Sequence, residues 1–123
     1  MGVAAATAIA YVKGATPKVL AVFNCIGSPA VCTAVPINLG TSSTSVYLVL
    51  FGTGIRGRSS LAGVSVTLGA TALNVTYADA QSTFPGLDQV NVLLNRSLIG
   101  QGLLPLQLTV DGVAANPVTV YIN

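Results

Sequence analysis

The chain has 123 residues, of which 52% are apolar and only 7% charged, with five basic residues, three acidic residues and no histidine. That length suits one domain able to bury a core. The net charge of +2 is too small and scattered for a nucleic-acid footprint, and the apolar runs Val19–Phe23 and Val46–Phe51 fall well short of the roughly 20 residues of a spanning helix.

In chain order, small and apolar residues alternate from Ala6 through Thr7, Ile9 and Tyr11, which predicts a strand ending near Lys13-Gly14. Thr16-Pro17 reads as a turn, Lys18–Asn24 as a second strand and Val31–Ile37 as its return. Cys25 and Cys32 flank the connecting loop. Oxidised, they staple the hairpin, with about 2.5 kcal/mol of loop-closure stabilisation. The alternative is a pair of partly buried free thiols. Two thiolates without a histidine make a poor zinc site, so no metal or cofactor is implied.

Asn38–Ser45 is a polar connection of the kind that separates sheets. Val46–Phe51 is apolar on both faces, which predicts a central strand covered on both sides or on one side by a partner. Val64–Leu68 and Leu73–Tyr77 alternate with period two around Gly69-Ala70 and predict a hairpin. Tyr77–Leu87 reads as a loop, Gln89–Leu94 and Leu104–Val110 as further strands, Asp111-Gly112 as a turn and Val118–Ile122 as the last strand. About seven to nine short strands without an amphipathic helix predict an all-β, antiparallel β-sandwich.

Gly52-x-Gly54-x-x-Gly57 after Val46–Phe51 matches the dinucleotide fingerprint literally, and Asp79 lies about twenty residues beyond it. The fingerprint requires these glycines to open a helix whose N-terminus holds phosphate. Only Arg58–Gly63 separate them from the next strand, so a tight interstrand loop is expected instead. A hydrolytic triad is excluded by the missing histidine. Asp79 and Asp88 stand at the two ends of one loop and are candidates for a carboxylate pair or for helping to bind calcium with loop carbonyls, against the plainer reading of solvated loop carboxylates or backbone caps. Asp111 is a turn aspartate by its Asp-Gly context. The sequons Asn74-Val75-Thr76 and Asn95-Arg96-Ser97 are read as chance occurrences, and the tyrosines as sheet-packing residues.

The segments LVLFGTGIRGRSSL (Leu48–Leu61), VSVTLG (Val64–Gly69), GLDQVNV (Gly86–Val92), RSLIG (Arg96–Gly100) and LTVDGVAAN (Leu108–Asn116) closely resemble a C-terminal domain found repeatedly in large secreted acidobacterial proteins of the Solibacter type. The resemblance covers Tyr47–Asn123 well and the first 45 residues loosely. The family has proline where Asn95 stands and a second glycine at Ala70. The resemblance implies an immunoglobulin- or IPT-like sandwich, an exported or cell-surface location, a chain truncated from a longer protein, and no assigned activity. The exported location favours the Cys25–Cys32 disulfide.

The function expected is a non-enzymatic extracellular module for protein contact, adhesion or assembly, with self-association as one form. No catalytic residue is assigned. The candidate contact residues are Arg56, Arg58, Asp79 and Asp88, on loops Gly52–Gly63 and Tyr77–Asp88, and Arg96, in the short connection Asn95–Gly102. A carbohydrate- or surface-binding module using the same loops is the alternative. A minimal hydrolase using Asp79 or Asp88 with Arg96 is the reading from the enzyme class.

Overall fold

Strands form where apolar side chains alternate with small or uncharged polar ones, because that period places one row in a core and the other in water. The computed structural model describes residues 2–123. Its strands are β1 (Gly2–Val3), β2 (Ala6–Val12), β3 (Lys18–Ala21), β4 (Phe23–Ile26), β5 (Val31–Ala34), β6 (Thr44–Gly52), β7 (Val64–Leu68), β8 (Thr71–Ala80), β9 (Asp88–Leu93), β10 (Gly102–Val110), β11 (Val113–Ala114) and β12 (Val118–Ile122). The helical pieces among the described residues are the short 3-10 turns Leu61–Gly63 and Arg96–Leu98.

All strands except β4 and β5 join one sheet in the order β1-β12-β10-β7-β8-β9-β6-β2-β3, with β11 paired to β10. Pairing is antiparallel except where β1 runs parallel to β12 and where an isolated parallel bridge joins Ile37 to Ile122. β8 holds the sheet together. Its first residues pair with β7, its later ones with β9, and the register shifts between Val75 and Tyr77. A bulge there sharpens the local twist, and the sheet curls into a half-barrel. Its two limbs share one core, with Leu48, Val90 and Val92 from one side and Val66, Leu68 and Val120 from the other.

The N-terminal segment passes between the limbs. β1 lies on β12, Ala4 N–H donates to the Thr119 carbonyl, Phe51 N–H donates to the Ala5 carbonyl, and β2 pairs with β6. The rest of β12's free edge is covered by Ile37, which donates to the Tyr121 carbonyl and accepts from Asn123 N–H. A covered edge cannot template pairing with another chain.

Two expectations change. The predicted strand Lys18–Asn24 breaks at Val22, which is 2% exposed and whose carbonyl accepts from Val35 N–H at 2.9 Å. Turning Val22 inward sends β3 to the sheet and β4 to a separate ribbon with β5. The predicted loop Tyr77–Leu87 begins later, since β8 continues to Ala80. A turn then closes, with Gln81 N–H donating to the Leu87 carbonyl and Gln81 Oε1 accepting from Thr83 and Phe84 N–H. The all-β class is as expected, and the two limbs run on as one curled, mostly antiparallel sheet. Val46–Phe51 lies inside β6, between β9 and β2, with Val46, Leu48 and Leu50 in the core.

The β4–β5 ribbon carries the Cys25–Cys32 disulfide across directly paired positions. Its residues from Phe23 to Thr33 are all exposed, so the ribbon is held by its staple and by its base at Val22 and Val35, with little burial. Reduction, or Cys25→Ser with Cys32→Ser, is therefore expected to open the ribbon before the sheet. Limited proteolysis combined with hydrogen exchange reads this: cleavage within Ile26–Val31 with unchanged protection in β6 and β9 is expected, and loss of protection throughout the sheet would contradict it.

Candidate functional site

β6 belongs to one limb and β7 to the other, so residues 53–63 form the crossing between them. Gly54 takes φ +78°, a left-handed turn that costs glycine nothing, and this delivers Ile55 to the core at 2% exposure. Gly52 and Gly57 have ordinary φ values, and the next helical piece is only the 3-10 turn Leu61–Gly63. The glycines therefore shape a crossing loop, with no helix to cradle phosphate.

Asp88, at the start of β9, is 1% exposed. Its Oδ2 accepts from the backbone N–H groups of Ile55 at 2.8 Å and Arg56 at 3.0 Å, and its Oδ1 accepts from Arg56 Nε at 2.6 Å. Arg56 Nη2 donates onward to the Leu87 carbonyl at 3.1 Å. A buried carboxylate is tolerated when its lone pairs are filled and a cation stands beside it. The Arg56 backbone N–H, then its side chain and the Ile55 N–H, hold the Asp88 pKa below the ordinary carboxylate value, against the opposing effect of burial.

The other charged candidates are also engaged internally. Arg58 donates from Nε to the Ala78 carbonyl and approaches Asp79 at 3.6 Å. Arg96 donates to the carbonyls of Leu39, Gly40 and Thr41, fastening the chain that enters β6. Asp79 and Asp88 do not form a carboxylate pair. Their register partners are Gln89 and Ala80, so adjacent-position alternation sends them to opposite faces. Arg96 and the two aspartates have separate partners, so the hydrolase constellation is not assembled.

One tie was not legible as a site. Asp111, in the left-handed region at φ 48°, accepts from Ser59 N–H at 2.9 Å and from Ser59 Oγ–H at 2.8 Å. Its own N–H donates to the Gly63 carbonyl. A Cβ at Gly63 would collide with Asp111 Oδ1. The Asp-Gly turn was evident in the sequence, but its partner lies 52 residues away.

Two surfaces stand apart from these ties. On the outer face of the β8-β9-β6-β2 limb, a shallow depression of about 520 Å3 is lined by Ile9, Tyr11, Ser45, Tyr47, Val49, Thr76 and Asn91. Tyr11 and Tyr47 meet edge to face at 5.7 Å between ring centroids. Asn91 Oδ1 accepts from Gln89 Nε2 at 2.8 Å, and the Thr76 hydroxyl donates to the Asn91 carbonyl. The second surface is the ribbon, where the cross-strand pair Ile26 and Val31 is 69% and 68% exposed. Among the described residues, no group of three or more His, Cys, Asp or Glu is arranged to hold a metal ion, and no helix is long and apolar enough to cross a membrane.

The depressed pKa of Asp88 gives stability that is present above its unfolded value of about 3.9 and is lost as pH falls through the folded value. The thermal midpoint is expected to hold from neutral pH down to mildly acidic pH and to fall below it. Asp88→Asn should lower the neutral-pH midpoint more than Asp79→Asn, because the amide introduced at the buried position would aim an N–H at groups that are themselves donors. Equal shifts in the two variants would refute the assignment. No family model, curated protein or solved structure matches this chain.

Proposed function

We propose that the chain is a non-enzymatic extracellular module of immunoglobulin type that works by protein contact through its stapled ribbon. The strand order supports the sandwich. With β2, β6, β7, β8, β9, β10 and β12 taken as seven successive strands, β2-β6-β9-β8 corresponds to the ABED sheet and β7-β10-β12 to the CFG sheet. β3, β4 and β5 are then an insertion between the first two strands of that plan.

The insertion carries the proposal. Val19, Phe23, Ile26 and Val31 are 67%, 37%, 69% and 68% exposed, and no charged residue occurs between Lys18 and Arg56. The directly paired Ile26 and Val31 form an exposed apolar patch at the end of the ribbon, and such a patch favours association. β3 is also the terminal strand of the sheet order, where unpaired backbone groups face outward. The arginines and aspartates, by contrast, are engaged in holding loops. The disulfide fits an oxidising compartment, in agreement with the cell-surface location that the acidobacterial resemblance implies.

Size exclusion with light scattering tests the self-associating form of this reading. The wild type is expected to gain mass with concentration, and Ile26→Lys with Val31→Lys to stay monomeric with an unchanged far-UV spectrum. A wild type that remains monomeric up to millimolar concentration would remove it.

A further inference from the structure

We infer that the depression on the outer face of the β8-β9-β6-β2 limb is a binding site for a neutral glycan of one or two hexose units. This is a surface separate from the ribbon, and it stands whether or not the ribbon associates.

The first reason is charge. None of the lining residues is charged, and the nearest acid on that face, Asp79, is paired with Arg58. A phosphate, an acidic sugar or a cationic peptide would be desolvated there without a counter-charge. A neutral ligand has no such cost.

The second reason is area. The floor spans β2, β6, β9 and, at Thr76, β8, and runs from Ser45 to Val49. Strand spacing and rise make this about 14 Å by 14 Å, or about 200 Å2. A stable protein interface needs about 800 Å2 from each partner, so this floor alone is too small to seat a second copy. The depression's volume of about 520 Å3 lies within the range of about 300–1,000 Å3 typical of small-ligand sites.

The third reason is the arrangement of groups. A pyranose ring offers an apolar C–H face and a rim of hydroxyls. Tyr11 and Tyr47, crossed at 85°, supply ring surface for the apolar face, and Ile9 continues it. Asn91 has its Oδ1 occupied by Gln89, so its amide N–H groups remain as directed donors toward hydroxyl oxygens. The Ser45 hydroxyl on the opposite side can donate or accept. An apolar floor with a few convergent uncharged polar groups is the usual construction of a small-ligand site.

The test is a 15N-resolved NMR titration with cellobiose, maltose, lactose and chitobiose to ~10 mM, well above the ~1 mM Kd of a weak site, with a glucuronate disaccharide as charged control. At least one neutral disaccharide should shift the amides of Tyr47, Val49 and Asn91, while the glucuronate does not. Tyr47→Ala should weaken binding about tenfold, as loss of an aromatic contact does. Asn91→Asp, of equal size and a check against misfolding, should weaken it similarly. Ile26→Lys should leave it unchanged. No neutral disaccharide shifting these amides, equal response to glucuronate, or unaltered binding in both Tyr47→Ala and Asn91→Asp would overturn the proposal. Concentration-dependent shifts of the same amides without sugar would overturn it in favour of a second copy.

Discussion

The Asp88 carboxylate is the interaction on which the arrangement of the two limbs depends. It is buried at the start of β9, and it takes its hydrogen bonds from the loop that leaves β6 for the opposite limb. Leaving those lone pairs unfilled in the interior would cost more than most single contacts return. The loop is thereby held where Ile55 closes one end of the core. Arg58 adds a tie to β8, and Asp111 holds the same loop from the β10–β11 turn. The crossing between limbs is fastened from both of them, which a glycine-bearing loop could not achieve by backbone preference alone.

Charge is scarce in this chain, and most of it is used internally. Arg56, Arg58 and Arg96 each hold a carbonyl, a carboxylate or both, and all three aspartates accept hydrogen bonds from backbone groups. Lys13 and Lys18 remain as basic side chains without an ion-pair or hydrogen-bond partner among the described residues. Lys18 starts β3, the terminal strand of the sheet order. The other limb's edge is closed without charge, by β1 and Ile37 on β12. What faces solvent elsewhere is largely uncharged, and contact there must be made by shape, apolar area and neutral hydrogen bonds.

The all-β class, most of the strands and their inward rows were legible in the residues alone. Period-two alternation decides which face a side chain occupies wherever one face is buried, and Val64–Leu68, Gln89–Leu94 and Val118–Ile122 display it plainly. The apolar character of both faces of β6 was equally plain, as was a glycine-spaced exit too short for a phosphate-binding helix. Which strands meet was decided by folding, because alternation carries no information about the partner. That is why β8 could be read as a short strand and a loop while serving both limbs, and why Val22 could look like one more strand residue while turning the chain into the ribbon. The charged residues show the same division. Arg56, Arg58 and Arg96 stood out by rarity in a nearly uncharged chain, but the groups that engage them are backbone carbonyls and carboxylates 20 to 57 residues away. Proximity at that separation is created by folding, so the loop that looked free for a partner is held by its own chain.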